Sequence, residues 1–102
     1  MNVRQQGIGV VGGVGPFAGL DLVKKIFEHT QAVTDQDHLD VVLISRPHAI
    51  VDRSDFLLGK IERNPADSIA AIIKEMVGLG VVVAGIPCNT AHTPLIVNSI
   101  LE

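Results

Sequence analysis

The 102-residue chain carries eight Lys and Arg, eleven Asp and Glu, and neither Trp nor Tyr, for a formal charge of −3. Interspersed charge without a basic stripe or stacking aromatics excludes nucleic acid as the expected partner. The length suits one small domain, but 47% hydrophobic content at a mean hydropathy of +0.40 is more apolar material than such a core hides, so the excess reads as surface for another domain or subunit.

The first expected element is a buried strand over 7–11 (GIGVV). Arg4 and the apolar stretch after it have the outline of a signal peptide, but five glycines and Pro16 break IGVVGGVGPFAGL, and no convincing small-x-small cleavage site follows. A glycine loop, GGVGP at Gly12–Pro16, then opens a helix over Phe17–Thr30, whose expected inner stripe is Leu20, Val23, Ile26 and Phe27. DQDH at Asp35–His38 precedes a second strand, Val41–Ser45. The loop SRPHAIVDR leads on towards a helix over Ala66–Leu79, with Asn64 as its cap, Pro65 at its first position and Gly80 as its stop. The third strand is expected at Val81–Ile86, followed by PCNTAH at Pro87–His92 and a helix running to the C-terminus. The long charge-free run from Val77 is interrupted by glycine, proline, Asn and His, and does not read as a membrane span.

Each of the three apolar runs is β-branched and lacks alternation, as expected of strands covered on both faces. The order β-α-β-α-β-α implies right-handed crossovers, a three-layer α/β arrangement and a parallel sheet of order 2-1-3, the beginning of a flavodoxin-like fold. Three strands make a thin sheet, and the chain stops during its last helix, so residues 1–102 read as one part of a larger α/β unit.

Ligands of such folds sit off the carboxyl ends of the strands, where GGVGP, SRPHAIVDR and PCNTAH fall. Gly13, Gly15 and Ala18 fit GxGxxA between strand and helix, which suits a nucleotide, a tight packing turn, or a small carboxylate held by backbone N–H groups. Against a dinucleotide, Arg46 stands at the end of the second strand where a ribose-binding acid is needed. The lone Cys88 cannot form an internal disulfide, consistent with a reducing, cytoplasmic setting. At the start of a helix its thiol would ionise more readily; as an ordinary free cysteine it would be buried packing. Asn89 and Thr90 can grip a carboxylate beside it, or Thr90 can cap the helix. His92, four residues on, shares a helical face with Cys88 or orders the loop, and no ligand set with zinc spacing accompanies the pair.

PCNTAH, GGVGP, DQDH and the pair Asp52-Arg53 occur in the order and spacing of the aspartate/glutamate racemase family, and the chain resembles its cofactor-independent aspartate racemases from about Gly7 to Pro94. The resemblance implies one half of a two-domain fold with the active site in the cleft. Two cysteines, one from each domain, invert the substrate's α-carbon without cofactor or metal. It makes Cys88 the first-domain cysteine, Asn89 and Thr90 the α-carboxylate grip, Gly13 and Gly15 the lining loop, and Arg53 the partner of the side-chain carboxylate. A guanidinium fork suits that last role, although Arg53 can instead serve Asp52 or Asp55. Val14 stands for the family's methionine, Arg46 for a common asparagine, Val51 for a proline, and Thr93-Pro94 for a frequent aromatic. Arg46 and His92 are thus further candidate contacts. The expected function is racemisation of aspartate or glutamate, with the isolated chain largely inactive because the second cysteine lies elsewhere. The alternative is a small nucleotide- or phosphate-binding module with a structural cysteine.

Overall fold

The computed structural model describes residues 7–88 and 92–101. Strand β1, Ile8–Gly12, is central; β2, Val41–Ser45, and β3, Val83–Gly85, flank it in a parallel sheet of order β2-β1-β3. The expected α/β class and strand order are therefore present. β2 has the bounds read from sequence and β1 is shifted by one residue, but β3 is only three residues long. Register explains the short strand. Gly80 at φ +92 turns the chain out of the preceding helix, and Val81 still binds back to the Met76 carbonyl before pairing with β1 begins.

The two faces of β1 are covered by different helices. Helix α1, Pro16–Glu28, lies on the face carrying Val10 and Leu43. Its inward residue is Gly19, the one fully buried position of the helix, while Leu20 is 57% exposed and Phe27 sits at 39%. Of the expected stripe, Val23 and Ile26 are partly buried while Leu20 and Phe27 are not, and the closest approach of helix to strand is made by a glycine pair. A Cβ on Gly19 would lie 3.2 Å from the Gly12 Cα, so only glycine lets the helix seat this closely on the strand. Such an approach rotates the helix and leaves Leu20 and Phe17 facing outward.

On the opposite face lie α3, Ala66–Gly78, and α4, Pro94–Leu101, packed against each other. The spacing of this helix predicts an inner stripe of Ile69, Ile72, Ile73 and Met76; Ile69, Ile72 and Met76 are buried with Val11 and Val81 in one apolar cluster, while Ile73 is only partly buried against it. A short helix α2, Arg53–Leu57, was not expected. Asp52 caps it by accepting from the Asp55 N–H at 2.9 Å. Pro65 occupies the cap position of α3 in place of the expected Asn64; Asn64 Oδ1 still accepts from the Ala66 N–H at 2.9 Å, and its amide donates to the Leu95 carbonyl and to Ser99 Oγ, each at 3.2 Å. One side chain thus holds the start of α3 and ties α4 to it. No helix among the described residues is long and apolar enough to cross a membrane.

Candidate active site

Three loops leave the carboxyl ends of the strands, and each sends a side chain into the same apolar cluster. Val14 comes from the loop after β1 and is 3% exposed; Ile50 comes from the loop after β2 and is 4% exposed; Ile86 and Cys88 come from the loop after β3. Residues spread from 14 to 88 in sequence are thereby drawn together by burial of hydrocarbon, the non-directional force that most readily joins distant segments.

The glycine loop is held from the side by the loop after β2. Gly13 has φ +82, and a Cβ there would stand 2.8 Å from the Arg46 nitrogen and 2.9 Å from both the Arg46 carbonyl carbon and the Pro47 nitrogen. Gly15 also has positive φ, +92, but faces open space, with the Ala18 Cβ 3.9 Å from a built Cβ. Gly13 is required by contact and conformation together, Gly15 by conformation alone. Immediately after Gly15, Pro16 opens α1, so the first amides of that helix point towards the loop mouth.

Cys88 is a free thiol of intermediate exposure, leaning on the cluster without being sealed inside it. In the sheet Gly85 pairs with Val10; Cys88 and Gly13 each lie three residues beyond that pair, which puts both at the same end of the sheet. The helix expected to start at Cys88 instead begins at Pro94. A residue before proline is disfavoured in the helical region, and Thr93 accordingly acts as the entry, its carbonyl accepting from Ile96 N–H at 3.0 Å and Val97 N–H at 2.8 Å. Cys88 therefore lies six residues before the start of α4. Asn89 and Thr90, the expected carboxylate grip, lie outside the described residues.

His92 Nε2 is 2.9 Å from the Ile86 carbonyl, the geometry of an N–H donor closing the loop that carries Cys88. The loop-ordering hydrogen bond expected of this imidazole is thus present. Arg46 points away from the other two loops and forks onto Glu75 of α3, with Nη1 to Oε1 at 2.6 Å and Nη2 to Oε2 at 2.7 Å. The bidentate bond, helped by simple charge attraction, holds the Glu75 carboxyl below its ordinary value against a smaller desolvation effect. Arg53 differs. It opens α2, is half-buried, forms no ion pair among the described residues, and leaves its buried Nε without a hydrogen-bond partner. Neither Asp52 nor Asp55 takes it, since Asp52 is spent on capping α2.

His38 of DQDH stands edge-on to the Phe27 ring, centroids 5.4 Å apart at 83°, and its Nδ1 is buried without a partner. Asp37 accepts from the Thr34 and Val33 N–H groups, fixing the turn into β2. This motif orders a connection at the amino end of the sheet. A groove of about 390 Å³ between α3 and α4 is lined by Ala70, Ile73, Lys74, Ile100 and Leu101, none of which belongs to the three loops.

Sequence reasoning did not single out Gly19 or Glu75, and it read Gly12 only as part of the glycine loop. The glycine pair was detectable as two small residues facing across a strand and a helix; the Arg46–Glu75 bond joins positions 29 residues apart and carries no local signal.

In fold, a parallel α/β sheet of order 2-1-3 with flanking helices matches a racemase half domain. The solved structure of Picrophilus torridus aspartate racemase is similar to this chain at 34% identity and a TM-score of 0.77, the match covering 87% of this chain. The chain spans 38% of that protein. The likeness is thus one of sequence as well as fold, and the resemblance carried by PCNTAH and the glycine loop holds. No family model matches the chain.

Proposed function

We propose that this chain supplies one half of the active site of a racemase for an acidic amino acid, aspartate or glutamate, as the first of two α/β domains. Cys88 is one of two sulfurs, and the second comes from a domain outside these 102 residues. In one direction the Cys88 thiolate takes the α-proton and the C–H electron pair stays on the substrate, delocalised into the α-carboxylate. The opposing thiol then delivers its proton to the other face, so the two sulfurs exchange protonation states and the centre inverts. Two bases on opposite faces are what such an inversion needs, and the step requires no pyridoxal phosphate.

The other residues bind. Amides of the Gly13–Gly15 loop and the start of α1, with Asn89 and Thr90, receive the α-carboxylate, and Arg53 pairs with the side-chain carboxylate. One observation carries the reading: in a chain similar to an aspartate racemase, the lone cysteine is partly exposed at the same end of the sheet as the glycine loop. Arg53, whose buried Nε has no hydrogen-bond partner among the described residues, favours a diacid over a neutral amino acid.

Iodoacetamide labelling of Cys88 near neutral pH tests the site. Succinate or aspartate should slow the labelling; a rate indifferent to both diacids refutes the proposed pocket, and protection by inorganic phosphate alone favours a phosphate-binding module. Circular dichroism of L-aspartate incubated with the purified chain tests the division of labour. Optical activity should persist, and complete racemisation by this chain alone would show that the second sulfur is not needed.

A further inference from the structure

We propose that Glu75 is a positioning residue for the glycine loop, acting through Arg46. The inference rests on the functional reading only in taking that loop to face substrate. Glu75 sits on a turn of α3 that packs against β1. Its neighbour Met76 is fully buried, with its sulfur where a Cβ on Gly9 would be, 2.5 Å away, so β1 and α3 interlock at this turn. From that base the carboxylate reaches across to the loop after β2 and takes both ends of the Arg46 guanidinium, at 2.6 and 2.7 Å. A fork–fork pair fixes direction as well as distance, which a single contact to Lys does not.

Arg46 in turn touches the glycine loop with its backbone. The atoms closest to a Cβ on Gly13 are the Arg46 nitrogen, the Arg46 carbonyl carbon and the Pro47 nitrogen, all within 2.9 Å. The Arg46 carbonyl also accepts from Ala49 N–H at 3.0 Å, which locks the turn that follows. A continuous line of contacts therefore runs from β1 through Met76 and Glu75 to Arg46 and back to Gly13. The line explains why a second arginine can stand beside a carboxylate site without competing for the ligand: its charge is already met by Glu75, and Arg53 is left for the substrate.

The test uses the 102-residue chain and its backbone amide resonances. Glu75→Gln should shift the Gly13 and Gly15 amides while leaving those of α4, such as Ser99, in place, with the melting temperature nearly unchanged. Arg46→Lys keeps the charge but loses the fork, so a shift of the same two amides there reports the lost geometry and not the lost charge. The exchange Arg46→Glu with Glu75→Arg should bring both amides back. Unmoved glycine amides in Glu75→Gln and Arg46→Lys, or an exchange variant that resembles the single variants, overturn the proposal. Should Glu75→Gln prevent folding, Arg46→Lys reads the same loop. In a second arm, succinate affinity should fall several-fold in Glu75→Gln and recover in the exchange. A parent chain that binds no succinate sinks the functional reading, and the amide shifts still decide the role of Glu75.

Discussion

Gly13→Ala measures how tightly the loops at the carboxyl end of the sheet are locked together, with Gly15→Ala as its internal reference. Both residues have positive φ, +82 and +92, so a side chain at either position costs on the order of 1–3 kcal/mol in backbone strain. Only Gly13 adds a collision. Its Cβ would stand 2.8–2.9 Å from three backbone atoms of Arg46 and Pro47, which cannot swing aside as a side-chain tip does. Overpacking of that kind adds ~1–3 kcal/mol, whereas Gly15 meets nothing nearer than 3.9 Å. Gly13→Ala should therefore lose about 2–6 kcal/mol in all, and Gly15→Ala about half of that or less. In urea, where stability falls by ~1–3 kcal/mol per M, the two midpoints should differ by on the order of 1 M. Equal midpoints, or a Gly13→Ala chain as stable as the parent, would mean that the loop after β2 does not brace the glycine loop.

Met76→Ala should cost ~2–5 kcal/mol of stability in the same assay, because the buried thioether fills the space over Gly9 and its loss leaves a cavity. The Arg46–Glu75 pair predicts a pH dependence with a definite sign. The folded chain holds the Glu75 carboxyl below its usual 4.5, so the pair stabilises above that value and its contribution fades as the pH falls through the lowered one. Both side chains are about half exposed and screened by solvent, so the effect is small: the melting temperature between pH 6 and 3 should fall only slightly more steeply in the parent than in Glu75→Gln. The outer edge of β3 is unpaired among the described residues, with Val82 and Val83 49% and 56% exposed and no charge near them. Such an edge invites pairing with another strand, so light scattering should report concentration-dependent self-association that Val83→Lys reduces; a strictly monomeric parent at high concentration contradicts this.

The layers of this protein were legible wherever the relevant physics is local. Val41–Ser45 reads as a strand because five consecutive residues are apolar or small and largely β-branched, and it formed with those bounds. Ile69, Ile72 and Met76 repeat at helical spacing, and they are the buried face of α3. The motif PCNTAH marked the cysteine loop, and the likeness to an aspartate racemase agrees with it. The short helix at Arg53–Leu57 was missed because five residues carry too little periodicity to outweigh their loop composition, and Asp52 as a cap is visible only once the helix is known.

What the residues by themselves determined is the alternation of strands and helices, the crossover order and the identity of the chemical groups at the strand ends. These follow from side-chain periodicity, turn residues and chirality, which act over a few positions. What only the tertiary structure decided is how those groups are shared out. Leu20 faces outward because Gly12 and Gly19 touch. Helix α4 begins at Pro94, leaving Cys88 in the loop before it. His92 spends its Nε2 proton on the Ile86 carbonyl. Arg46 is satisfied by Glu75 while Arg53 keeps its Nε unpaired. Each of these outcomes is a competition between partners distant in the chain, and such competitions are settled only when packing brings the partners within reach.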